Sequence, residues 1–190
     1  PAQFAFGPVS RGRLRQSALM FGYLGKLEGL GQVNLGVQKA RYRARSIAGT
    51  SGDITRSRDD PWLYNAMALA EVTSHLAVYA GIETGLEDSG AAPENAANRN
   101  DQLPATRSKQ VEGGVRWKFG KAQLVLNAFH ITKPYFSFDA NNRYVEVAHV
   151  RHQGVEASFA GHFGERFNVL AGAVVMKPRV TGPGVAQGIV

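Results

Sequence analysis

The feature that most constrains this chain is the pairing of long two-residue alternation with connections that switch strictly between short and long. The stretch RSKQVEGGVRWKF (107–119) carries Val111, Val115, Trp117 and Phe119 at odd positions. Its even positions carry Gln110, Glu112, Arg116 and Lys118. A strand turns successive side chains to opposite faces, so this segment has one apolar and one polar side. The pattern alone leaves open which side meets water. In a water-soluble sheet the apolar face looks inward, and in a membrane barrel it looks outward at lipid.

The same alternation recurs along the chain. Leu19, Phe21, Tyr23 and Leu27 share a face, and Val33, Leu35 and Val37 oppose Gln32, Asn34 and Gln38. The segments 61–70 and 75–85 form a second pair, 107–119 and 122–133 a third, and 143–161 and 166–178 a fourth. About eight strands are expected, most longer than the usual five or six residues and long enough for tilted membrane spans. Turns are expected at 28–31, 71–75, 120–122 and 162–166. Longer polar loops are expected at 44–62, 86–106 and 134–142. Short turns on one side and long loops on the other are the habit of an up-and-down outer-membrane barrel. The fold class expected is all-β, an antiparallel up-and-down meander of about eight long strands; a soluble protein with functional loops at one end could sort its connections in the same way.

Composition narrows the function classes. Aliphatic and aromatic residues reach 44% and charged residues 19%, which opposes wholesale disorder. No run of eighteen apolar residues is present, which excludes a transmembrane helix and leaves a barrel open. Cysteine is absent, so disulfides and thiolate metal sites are excluded. The net charge of +7 permits an anionic partner, but the basic residues are scattered apart from KARYRAR (39–45), and no nucleic-acid partner is expected.

Catalytic and metal-binding patterns are missing. His75, His130, His149, His152 and His162 lack metal-ligand spacing. Asp59 and Asp60 precede Pro61 and read as a solvated turn rather than a desolvated acid pair. GPGVAQG (182–188) has glycines without the strand-turn-helix setting of a phosphate loop. No enzyme activity and no cofactor are expected. The charged series Glu112, Arg116, Lys118, Glu156 and Arg41, Arg43, Arg45 is expected on the polar faces of the strands, solvated in a small soluble sheet and turned to the lumen in a large barrel.

At LPATRSKQVEGGVRWKFGKAQLVLNAFHITKP (103–134) the chain resembles the barrel region of TonB-dependent outer-membrane receptors, the siderophore receptors in particular. The resemblance rests on Pro104 before Gln110, Glu112 and Gly114, and on a following strand that ends in Phe129, Ile131, Lys133 and Pro134. A later Gly154-Val155-Glu156 strand extends it, and it covers the chain from about Ser17 onward. It implies a large plugged barrel in the outer membrane that takes up ferric siderophores or similar small ligands, with TonB and outer-membrane lipid as partners. It implies that residues 1–190 are one partial barrel domain, with the plug domain and the C-terminal strands absent. Trp62, Arg99, Tyr135 and Phe136, in the expected external loops, are the candidate ligand contacts. Two other readings stand beside it: a complete small eight-stranded outer-membrane barrel, and a soluble β-barrel binding module.

Overall fold

The computed structural model describes residues 7–49, 51–164 and 166–182. GPGVAQG, apart from Gly182, lies outside them, as does Glu165 of the expected turn. Among the described residues there is no helix, and nine strands form one antiparallel sheet. They are β1 (Arg11–Leu27), β2 (Gly31–Ile47), β3 (Ile54–Asp59), β4 (Trp62–Glu71), β5 (Leu76–Glu87), β6 (Thr106–Phe119), β7 (Ala122–Phe138), β8 (Tyr144–Phe163) and β9 (Phe167–Thr181). The order along the sheet is β1-β2-β4-β5-β6-β7-β8-β9, with β3 also on β2. The sheet is open: β1 and β9 each keep a free edge among the described residues. A closed eight-stranded barrel is therefore not what these strands make.

β3 and β4 are one strand with an interruption. Tyr42 pairs with Asp59 and Lys39 with Trp62, so a single register runs across both. Asp60 and Pro61 fall at the break, and the ladder survives there through the Ala40 amide donating to the Pro61 carbonyl at 3.0 Å. Proline has no amide hydrogen to give back, which is why pairing lapses at this point. The expected loop at 44–62 is corrected accordingly. β2 runs on to Ile47 and β3 starts at Ile54, and the Ala48 amide donates to the Asp53 carbonyl at 2.9 Å between them.

The expected loop at 134–142 is also shorter. β7 continues to Phe138 through Pro134, with a register shift between Tyr135 and Phe136. β6 pairs with β7 only as far as Thr132. Beyond it β7 has β8 on one side alone, the edge setting in which a strand tolerates proline. The opposite turns are tight as expected. Gly120 adopts a φ of 58° in the two-residue β6–β7 turn, a conformation glycine enters without steric cost.

Cross-strand partners share a face. Val78, Val115 and Leu126 form one row, and Ile82, Val111 and His130 another. On the opposite face Tyr79, Gly114, Asn127 and Glu156 form a row. The apolar rows stay open to the surroundings: Leu19 is 80% exposed, Phe21 74% and Trp117 51%. Burial gathers on the other face, where Ala40, Tyr42, Ala44 and Ser46 alternate with the less buried Arg41, Arg43 and Arg45. A sheet whose apolar face is the exposed one has its sides reversed relative to a water-soluble domain.

Candidate functional site

The polar face is built around Glu112. Its carboxylate accepts hydrogen bonds from the Gln110 amide at 3.0 Å and the Asn127 amide at 3.2 Å. Glu83 pairs with Gln110 across β5 and β6, and Glu156 pairs with Asn127 across β7 and β8. A shallow recess runs over Asn34, Asn65, Glu83 and Glu112. The Nε of Arg116 and the Oδ1 of Asn127 are buried without a hydrogen-bond partner among the described residues. Buried polar atoms of this kind call for a partner, and these two sit on the face that a barrel turns to its interior.

Three pairs on this face set a glycine against a larger side chain: Gly36 against Asn65, Gly114 against Tyr79, and Gly154 against Phe129. The larger group lies down over the glycine. A Cβ added at Gly114 would stand 2.2 Å from the Leu126 carbonyl oxygen and 2.7 Å from the Tyr79 hydroxyl. At Gly154 it would stand 2.6 Å from the Phe129 ring.

At one end of the sheet the loop over 88–105 folds back across the polar face. Tyr42, fully buried, donates to the Asp88 carboxylate where the loop begins. The Thr55 hydroxyl donates to the Asn100 carbonyl at 2.9 Å and accepts from the Gln102 amide at 2.9 Å. Asn98 clamps the far side, accepting from the Tyr144 amide at 2.7 Å and donating to the Tyr144 carbonyl at 3.1 Å. Ala92, Ala96 and Leu103 pack beneath against Phe136 and Tyr144. A long polar loop thereby acquires a small core of its own, which the Ala- and Asn-rich sequence does not advertise.

The four candidate contact residues do not converge. Arg99 is exposed on the loop, with its amide on the Ala96 carbonyl. Phe136 is stacked on Tyr144 with ring centroids 6.5 Å apart, and Tyr135 packs on Ala148, Val150 and Val180. Trp62 stands on the apolar face, 64% exposed, with the Lys39 ammonium 5.0 Å above its ring. Sequence reasoning missed Tyr42, Thr55 and Asn98, which hold the loop down. Their hydrogen-bond partners lie 45 to 47 residues away, out of reach of any local pattern.

The arginine series is placed differently from expectation. Arg41, Arg43 and Arg45 share a face with Val33, Leu35 and Val37, not with Glu112 and Glu156. Alternation fixes this: odd positions of β2 are apolar up to Val37 and basic from Lys39 onward. The face stays the same while its surroundings change. Asp60 receives Arg43 at 2.7 Å and Arg58 at 3.0 Å. The Arg43 hydrogen bond above all holds its carboxyl down at about 2; desolvation pulls the other way, and the Arg58 hydrogen bond and the charges of both guanidiniums outweigh it. Among the described residues no group of three or more acidic or histidine side chains is placed to hold a metal ion.

A search of curated proteins returns no match. Solved structures do match. The ferric-catecholate import receptor Fiu from E. coli superposes with a TM-score of 0.74 at 17% identity, over 91% of this chain and 29% of that one. BauA, the ferric preacinetobactin receptor from Acinetobacter baumannii, gives 0.69 at 25% identity, over 90% and 26%. The siderophore receptor PiuA from the same organism gives 0.74 at 15%, over 94% and 28%. The chain thus spans less than a third of each of these structures. The family model "TonB dependent receptor-like, beta-barrel" matches residues 6–186. With strands, faces and family model in agreement, this chain belongs to the TonB-dependent receptor β-barrel family, whose place is the outer membrane.

Proposed function

We propose that this chain forms wall and external mouth of a receptor that takes up ferric siderophores or similar scarce chelates across the outer membrane. The observation that carries the reading is the loop at 88–105, clamped by Tyr42, Thr55 and Asn98 over a polar face that holds unpartnered groups on Arg116 and Asn127. A mouth of fixed shape above a polar wall suits capture of a bulky, polar, anionic chelate. Arg99, exposed on that loop, supplies the positive charge, and Tyr135 and Phe136 frame the opening. Trp62, under Lys39 on the apolar face, takes the bilayer boundary instead.

In this reading the plug and the strands that close the barrel lie outside residues 1–190, and TonB supplies the energy through that other part. No reaction is catalysed. The test uses iron-starved cells whose only such receptor is the full-length natural chain carrying this sequence. They are offered iron-55 complexes of a catecholate, a hydroxamate and a mixed siderophore. Uptake of at least one that stops when TonB is deleted, and that falls several-fold in Arg99→Glu, is the expected result. Uptake of none, or uptake indifferent to TonB, would overturn it.

A further inference from the structure

The apolar face carries a second feature that ligand uptake does not use. Arg15, Arg43 and Arg58 are cross-strand partners in one row over β1, β2 and β3, and Arg13, Arg45 and Arg56 in the next. The six line a groove of about 410 Å³. Like charges placed directly opposite one another destabilise a sheet. Among the described residues no carboxylate lines this groove, and Asp60 reaches only Arg43 and Arg58 from its lower edge. Arg13, Arg15, Arg45 and Arg56 have no ion-pair partner there. Arginine presents a planar fork of donors that matches phosphate oxygens two at a time. Six such forks at fixed cross-strand spacing form a site for an anion with several phosphates.

Height identifies the source of that anion. The apolar rows end at Leu19, Lys39 and Trp62, where an ammonium lies over an indole as at a bilayer edge. Arg41, Arg43 and Arg45 stand two, four and six residues beyond Lys39. At about 3.4 Å per residue and a tilt near 40°, that is roughly 5, 10 and 15 Å above the edge. A phospholipid headgroup layer is only about 5–8 Å thick. The upper row therefore overshoots it and needs a taller headgroup. Because the groove faces away from the barrel interior, an anion there is not on the uptake path.

We propose that the groove formed by Arg13, Arg15, Arg43, Arg45, Arg56 and Arg58 binds the phosphorylated saccharide headgroup of a glycolipid in the surrounding outer leaflet. The proposal rests on the outward direction of this face, and not on which ligand the receptor imports.

The test uses the full-length receptor in nanodiscs of phosphatidylcholine doped with lipopolysaccharide, with native mass spectrometry counting retained glycolipid. Arg13, Arg45 and Arg56 are changed together to Gln, which leaves the Asp60 pairs intact. At least a ten-fold loss of retained lipopolysaccharide is expected, with recovery in the corresponding triple Lys variant. Dephosphorylated lipopolysaccharide is expected to bind the parent as weakly as the intact lipid binds the Gln variant. Equal retention by the parent and a folded Gln variant, or equal retention of the dephosphorylated lipid, would overturn the proposal. Phosphatidylglycerol held as tightly as lipopolysaccharide would do so too, since it lacks the tall headgroup.

Discussion

An arginine at Val115 weighs the assignment of faces directly. The exposed apolar side of β6 runs from Val111 to Phe119. Eight residues at about 3.4 Å, tilted near 40°, make roughly 21 Å of height, close to the ~25 Å apolar band of an outer-membrane barrel. Val115 lies at its centre, with Val78 and Leu126 beside it. Val115→Arg should therefore meet the full midplane cost of about 2–4 kcal/mol, whereas the same change at Val111, nearer the rim, should cost about half that or less. On the other face Gln123→Arg, near the short-turn end, should cost under about 1 kcal/mol because that face is polar. The assay is reversible urea unfolding of the full-length chain in phosphatidylcholine vesicles, followed by tryptophan fluorescence. A profile across Val111, Val115 and Phe119 that peaks at the middle is expected. A buried core in a water-soluble sheet has no depth axis. Equal costs at all three positions, or a larger cost at Gln123 than at Val115, would refute the reasoning.

Gly114→Ala should destabilise the barrel by about 1–3 kcal/mol in the same assay, because its Cβ would meet the Leu126 carbonyl at 2.2 Å. Gly172→Ala should cost much less, since its nearest contact is an ordinary 3.6 Å. Asn98→Ala removes both clamps on Tyr144 and should cost about 1–3 kcal/mol locally, seen as faster proteolysis within 88–105 on the folded receptor. Asp60 has a depressed carboxyl, so its ion pairs persist above the usual carboxylate range and are lost only as pH falls through about 2. Carbon-13 titration of Asp60 should show that midpoint, returning toward the usual 3.8 in Arg43→Gln.

Strand existence and side were legible because a strict period of two leaves few alternatives. Trp117 and Phe119 fall on one side of β6 and Glu112 on the other whichever solvent is outside. Strand ends were harder. Ile54–Asp59 reads as loop because it is six residues of mixed polarity beside Asp60-Pro61, and only its partner β2 makes it a strand. Pro134 makes Tyr135 and Phe136 read as loop, yet a missing neighbour makes that proline harmless. Polarity alone groups the arginine series with Glu112 and Glu156, whereas the strand register puts it on the other face. Polarity tracks the face only within the lipid band, and past its edge a charged residue can point outward freely. The loop contacts depend on partners far apart in sequence, so no periodicity encodes them.

The glycine pairs bear on how far side chains rise from this face. Asn65, Tyr79 and Phe129 would stand up from the sheet if their neighbours carried side chains; instead each reclines into the space a glycine vacates. The wall therefore keeps aromatic and amide surface for contact while its relief stays low. Clearance above any surface is set by its tallest projections and not by its average composition. Three positions without a side chain thus keep this face low: a methyl group at Gly36 would have to tip Asn65 upward, and at Gly114 or Gly154 it would press on a backbone carbonyl as well as on the reclining ring.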